Sequence, residues 1–197
     1  MNNTTTNRYS SSITKGSLFL EETILVLDHV DLIDIQADNA VDFSFLPQNS
    51  ERGRIKVGKE IIDRMQNTPW DALWLNFLDF ADSDKKLIIL YAVANHHEIL
   101  QDCLIEVYHK RWLSMNNTLS RGDVSFWMDE KANVRPELLE FTENTRNKMA
   151  QVLFRTLYES GLIINESIVS VDMSPDLIQM MLERGEKWFL DVTHQNI

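Results

Sequence analysis

Residues 142–163, TENTRNKMAQVLFRTLYESGLI, constrain this chain more than any other stretch. At about 100° per residue, Asn144, Lys148, Gln151, Arg155 and Glu159 fall on one narrow arc, whereas Met149, Ala150, Leu153, Phe154 and Leu157 spread over the opposite side. The segment is therefore expected to form a long helix with one packing face and one free, cationic polar face, the grammar of a nucleic-acid recognition helix. Thr142 is placed to cap its N-terminus, although the capping-box position three residues on is a threonine rather than an acid, and Gly161 stands where a left-handed residue ends a helix. Beyond Gly161, the β-branched runs Leu162 to Ile164 and Ile168 to Val171 are separated by Asn165, Glu166 and Ser167, which predicts a small hairpin or wing.

The rest of the chain also has helical period. Helices are expected from Ser17 to about His29, through Ile33 and Ala40, and from a cap at Asn49 or Ser50 through Met65. Thr68 and Pro69 supply a cap and first-turn proline for a helix carrying Trp70, Trp74 and Phe77 on one side, an aromatic stripe read as core. Further helices are expected from Ser83 with an interruption near Asn95, from a Ser120/Asp123 capping pair, and from Ser174-Pro175. The prediction is a predominantly all-α protein: a compact multi-helix fold with a short β-hairpin after the long C-terminal helix. The Asn/Thr/Ser-rich residues 1–14 read as a flexible polar tail, 15–67 as an N-terminal helical part and 68–197 as a C-terminal helical part packed with it in one globular unit.

The longest apolar run, Leu87 to Ala94, is far short of the ~20 residues that span a bilayer, and the N-terminus lacks the apolar region of a secretory signal. The single cysteine, Cys103, lies in an apolar helical pattern and reads as a buried structural thiol. A cytoplasmic protein is expected.

The formal net charge of −11 opposes indiscriminate binding to nucleic acid, whose nonspecific affinity depends on Lys and Arg neutralising phosphates. The charge is unevenly spread. No Lys or Arg occurs between Lys15 and Arg52, where eight acids from Glu21 to Glu51 lie, and then Arg52, Arg54, Lys56, Lys59 and Arg64 arrive together. The acidic segment is either a solvated face or a surface for a protein partner. Cations in the first turns of the helix from Ser50 face the positive end of the macrodipole, which costs roughly 0.3 to 1 kcal/mol each when exposed. Either a bound phosphate, held by free N–H groups and these cations together, or ion pairs with Glu51, Glu60 or the upstream acids would offset that cost.

The sequence has no Gly-rich phosphate loop, HExxH, paired CxxC or EF-hand spacing, so no catalytic residue, metal or cofactor is predicted and an enzyme is not expected. His96 and His97 are adjacent and would leave a continuous helix on different sides, poor geometry for one metal. Lys148 and Arg155 share the polar stripe of the long helix. Arg146 shares the azimuth of Leu153 and Leu157, where it either holds a buried carboxylate or touches nucleic acid.

The ordered pattern of Ser17-Leu18 to Glu22, Asn49-Ser50 with Arg54, Glu60-Ile61-Ile62-x-Arg64-Met65, Leu87 to Ala94, Thr145-Arg146-x-Lys148, Val152 to Arg155 and Leu157-x-Glu159-x-Gly161-Leu162 resembles the BrxA family of bacteriophage exclusion (BREX) phage-defence systems. The resemblance extends over roughly residues 15 to 182. It implies an all-helical, cytoplasmic, antiviral-defence protein with two helix-turn-helix-like elements that binds double-stranded DNA beside other BREX proteins, without a membrane or small-molecule substrate. It carries a DNA-binding role onto Ser50, Arg54, Thr145, Arg146, Lys148 and Arg155, to which the helix argument adds Arg52, Lys56 and Lys59. A protein-binding adaptor using the acidic N-terminal third is the competing class, and a looser similarity to NusB-like helical proteins makes RNA the alternative nucleic acid.

Overall fold

The computed structural model describes residues 9–36, 41–68 and 72–195. The chain is predominantly α-helical, as the periodicity predicts. In order it forms α1 (Leu20–His29), α2 (Leu32–Gln36), α3 (Glu51–Gln66), α4 (Ala72–Leu75), α5 (Asp82–His96), α6 (Glu98–Cys103), α7 (Lys110–Leu113), α8 (Arg121–Val134), α9 (Glu143–Glu159), β1 (Ile163–Ile164), β2 (Ser167–Ile168), α10 (Pro175–Glu183) and α11 (Lys187–Val192). A π-helical turn, Leu104–His109, joins α6 to α7, so that helical backbone continues from Glu98 to Leu113. One apolar core runs through these elements, from Tyr9 to Val192.

Several boundaries follow directly from local chemistry. Ser50, Ser120, Thr142 and Ser174 each cap a helix with the side-chain oxygen, and Ser120 with Asp123 closes a full capping box. Gly161, at φ 82°, ends α9 with Leu162 N–H bonded to the Leu157 carbonyl. Asn165 and Glu166 both take positive φ, 49° and 61°, as a two-residue hairpin turn matched to strand twist requires. β1 and β2 then pair antiparallel, Ile163 opposite Ile168 and Ile164 opposite Ser167.

The ribbon is not isolated. Thr118 bridges Ser167, with Leu119 N–H on the Glu166 carbonyl and Ile168 N–H on the Asn117 carbonyl, both 2.8 Å. The segment just before α8 therefore forms a third edge. Arg111 fastens that edge from outside, donating to the Thr118 carbonyl at 2.7 Å and to Asp123 at 2.6 Å. α8 and α9 pack along each other, giving the sequence strand segment, helix, helix, ribbon.

The start of the chain departs from the tail expected over residues 1–14. Residues 1–8 lie outside the described residues, but Tyr9 and Ile13 are fully buried and Ser11–Lys15 form a 3-10 turn packed on α9 and α3. The physical reason is apolar burial combined with polar pairing: the Tyr9 hydroxyl bonds Asp102, and the Arg135 guanidinium lies over its ring. The first long helix likewise begins at Leu20 rather than Ser17, because Gly16 to Phe19 is held in extended and left-handed conformations by α3 and α9. Arg64 donates to the carbonyls of Gly16, Ser17 and Leu18, its guanidinium stacks on the Phe19 ring at 5.2 Å, and Glu159 accepts the Leu18 N–H. The helix expected from Ser83 starts one residue earlier, at Asp82, after an Ala81 that makes no side-chain cap. Of the expected aromatic stripe, Trp74 and Phe77 are core, and Trp70 lies outside the described residues, as does Ala40 of the second expected helix.

Candidate nucleic-acid interface

α9 buries Met149, Ala150, Val152, Leu153, Thr156 and Leu157. Its opposite side presents Asn144, Asn147, Lys148, Gln151, Arg155 and Tyr158, all exposed, within an arc of about 120°. The free polar face expected from the periodicity is thus present, and Lys148 and Arg155 are brought onto it together. Among the described residues, the side-chain hydrogen bonds along this stripe are Lys148 Nζ to Gln151 Oε1 at 3.4 Å and Arg155 Nε to Glu159 Oε1 at 2.6 Å.

Beside the C-terminal half of this face runs an open groove of about 790 Å³ between α9, β1 and the segment leading into α1. Lys148, Arg155 and Lys86 line it with Glu21, Glu22 and Glu159, so its charge is mixed. Burial by itself would raise the Glu159 carboxyl, but hydrogen bonds from Ser17, Arg155 and the Leu18 N–H hold it below the ordinary carboxylate range. Glu159 thus stays charged and anchors Arg155 with one oxygen while holding the chain entering α1 with the other.

The cations of α3 separate into two groups. Arg54 turns inward, donating to the Gln48 carbonyl at 3.0 Å, and lines a small cavity with Asp42 and Glu51. Arg52, Lys56 and Lys59 are exposed and fall within an arc of about 60°. None of these four makes an ion pair among the described residues. The ion pairs that would have offset the unfavourable position of the first-turn cations are not formed among the described residues. Ser50 is committed to its helix, accepting from Gly53 N–H at 3.1 Å. Gly58 lets Phe43 lie flat on the opposite side of α3, where a Cβ would stand 2.2 Å from the ring.

Thr145 is a capping partner, its N–H and hydroxyl both bonded to the Thr142 hydroxyl. Arg146 sits in the seam between α8 and α9, donating to the Phe141 carbonyl at 2.8 Å with its Nε 3.9 Å from Asp129 Oδ1. That carboxylate is itself 67% exposed, so Arg146 faces the packing side, as its azimuth indicates, but pairs with a surface acid.

The histidines depart from expectation. His97 breaks the helix at φ −123°, ψ 92°, and the break swings both imidazoles toward the buried carboxylate of Glu60 in α3. Glu60, His96 and His97 each offer a ligand atom within 4.8 Å of the others, a metal-like spacing. The carboxylate is already committed: Oε1 takes Arg64 Nε at 3.0 Å and His97 Nε2 at 2.8 Å, and Lys15 Nζ lies 2.8 Å from Oε2. Two fixed positive charges there oppose a dication, and the cluster is self-satisfied as a structural hub. A second hub was invisible in sequence: Lys131, buried, bonds Asp102 at 2.9 Å and Glu106 at 2.5 Å, with Trp127 Nε1 on the other Glu106 oxygen. A third stacks His194 on Trp112 with ring centres 4.0 Å apart. None of these had a signal in spacing, because each joins positions far apart in the chain.

A helical protein with a helix-helix-ribbon unit, an exposed amide- and cation-bearing helix face, and no assembled catalytic constellation among the described residues is the class these features define. The chain belongs to the BrxA family, whose model matches residues 7–185. It is similar to a protein of Paramagnetospirillum magneticum described as BREX protein BrxA, 22% identical over 188 residues that cover 93% of this chain and 94% of the relative. A Bacillus cereus protein with the same description is 19% identical over 192 residues, covering 93% and 95%. The fold of this chain matches a crystal structure of an uncharacterized protein from Magnetospirillum magneticum with a TM-score of 0.71 at 22% identity, over 94% of this chain and 98% of that one. No helix among the described residues is long and apolar enough to cross a membrane.

Proposed function

We propose that this protein is a non-enzymatic, cytoplasmic component of a BREX anti-phage system that binds double-stranded DNA, with other BREX proteins as its partners. The relatives named as BREX proteins support the system, and the exposed stripe of α9 supports the ligand. That stripe lies on the second helix of a helix pair followed by a ribbon tied back to the strand segment before α8, the order used by winged helix-turn-helix proteins, in which the second helix enters the major groove. Arg52, Lys56 and Lys59 on α3, exposed and unpaired among the described residues, are the natural second contact, made to phosphate through the other helix-turn-helix-like element.

Fluorescence anisotropy with a labelled duplex at several salt concentrations tests the reading. Log affinity is expected to fall linearly with log salt, by about 0.9 per phosphate contact. Absence of binding at low salt, or equal binding to an RNA hairpin competitor, would count against duplex DNA. The adaptor reading draws on one observation: α1, α2 and the link between them expose Asp28, Asp31 and Ile33, the last 70% exposed. It predicts retention of a protein partner by a chain that ignores DNA.

A further inference from the structure

We infer that α9 reads base sequence, with Asn147 and Gln151 as the discriminating side chains and adenine in the major groove as their target. The inference rests on the duplex-DNA reading above and goes beyond it, from binding to selectivity.

The residue types carry the first part of the argument. A carboxamide presents a donor and an acceptor side by side, the complement of the N6 donor and N7 acceptor that adenine displays in the major groove, and Asn or Gln paired bidentately with adenine is the standard result. Asn147 and Gln151 stand one helical turn apart, with Asn144 one turn before Asn147, all exposed. The rise between Asn147 and Gln151 is about 6 Å, close to two base-pair steps at about 3.4 Å each, so the two amides meet different base pairs. Both lie in the N-terminal two-thirds of the helix, the part a recognition helix directs at base edges.

The energetics carry the second part. Asn is a poor helix former, and at an exposed interior position it weakens a helix relative to Ala, Lys or Glu. Asn147 has such a position, and neither it nor Asn144 makes a side-chain hydrogen bond among the described residues. The folded chain gains nothing from the amides of Asn144 and Asn147, whereas Gln151 accepts from Lys148 at 3.4 Å, and a local choice at odds with the fold is the mark of a functional position.

Electrostatics supply the third part. Only Lys148 and Arg155 are exposed cations of this helix face, Arg155 is held by Glu159, and the rest of the groove sets Lys15 and Lys86 against Glu21 and Glu22, in a protein of net charge −11. Phosphate attraction at α9 is therefore modest, and base edges are where this helix can add most to binding. Lys148, between the two amides along the helix, and Arg155, one turn beyond Gln151, fix register on the backbone.

Selection of duplexes from a random-sequence pool by the full chain, followed by anisotropy on the enriched duplex and a scrambled one, tests this. The expected result is an enriched motif containing adenine, with Asn147→Ala and Gln151→Ala each lowering discrimination between the two duplexes about tenfold at an unchanged salt slope, while the melting temperature does not fall and rises slightly for Asn147→Ala. Lys148→Ala should instead weaken both duplexes equally. Failure to retain any duplex would sink the DNA reading itself. Duplexes retained without a motif, a motif without adenine, or a preference untouched by both amide substitutions would overturn this inference alone.

Discussion

Nε2 of His97 lies 2.8 Å from Oε1 of Glu60, and both side chains are buried, so the break between α5 and α6 is pinned to the middle of α3 by one hydrogen bond. Arg64 approaches the same oxygen from one turn along α3 and carries the bond onward to the carbonyls of Gly16, Ser17 and Leu18. Removing the carboxylate strands a guanidinium that is only 2% exposed. Glu60→Ala is expected to cost about 3 to 5 kcal/mol, the typical penalty for an orphaned buried charge, seen as a fall in the urea midpoint. A loss below about 1 kcal/mol would mean that Arg64 finds another partner.

Acid should destabilise the protein in two windows. The His194 imidazole is held down to about 4 by burial and by the neighbouring His109. A histidine with a lowered folded pKa is bound neutral, so stability is full above the unfolded value of about 6.5 and declines as pH falls from there to about 4. Solvent screening at this half-buried ring limits the effect to roughly 1 to 2 kcal/mol. His194→Asn, which tolerates the left-handed φ of 60°, should flatten unfolding free energy across that window relative to the parent. His96 is also held down to about 4, by burial and by His97, so some slope should remain.

The second window belongs to Glu60. Burial by itself would raise its carboxyl, but the His97 hydrogen bond, the Arg64 charge and Lys15 outweigh it and hold it at about 2. Its stabilisation is complete above the unfolded value of about 4.3 and disappears as pH falls toward 2. Calorimetric melting from pH 5 to pH 2 should show a steep fall that Glu60→Ala, already destabilised, largely lacks.

Arg146→Ala separates packing from DNA contact. Arg146 bonds the Phe141 carbonyl and faces an exposed Asp129, so its loss should cost about 1 to 2 kcal/mol, less than a fully buried pair. DNA affinity measured below the melting range should be unchanged. A normally stable variant with lost DNA binding would place Arg146 on the interface.

Arg52→Ala, Lys56→Ala and Lys59→Ala combined should lower the salt slope of duplex binding by up to about 2.7, at about 0.9 per lost contact, without lowering the melting temperature. Arg52, in the first turn of α3, opposes the macrodipole, and Lys56 and Lys59 make no ion pair among the described residues, so stability should hold or rise slightly. Unaltered affinity together with a lower melting temperature would show that these residues serve the fold instead.

What was legible in the sequence was local. Ser50, Thr142 and the Ser120/Asp123 box announce helix starts because a side-chain oxygen needs only the next turn, Gly161 announces a helix end through a backbone conformation few residues accept, and the β-branched runs on either side of Asn165 and Glu166 announce the ribbon. The stripe of α9 was legible because periodicity alone sorts its two faces. The packing of Tyr9 and Ile13, the delayed start at Leu20 and the turn of both histidines toward Glu60 were not, since each depends on a partner between 37 and 93 residues away or on a helix break set by one. The separation of Arg54 from its neighbours was equally hidden, because an inward turn toward the Gln48 carbonyl leaves no trace in spacing.

The bridge between Thr118 and Ser167 bears on how the α9 face would meet a partner. With Leu119 and Ile168 bonded across it and Arg111 gripping both the Thr118 carbonyl and Asp123, the ribbon and the start of α8 share a single brace. A two-residue hairpin standing alone would swing on its turn and lose that freedom on contact. Here the loss is incurred during folding, so the angle between ribbon and α9 is set beforehand, and a docking partner meets a preorganised surface at little further cost in order.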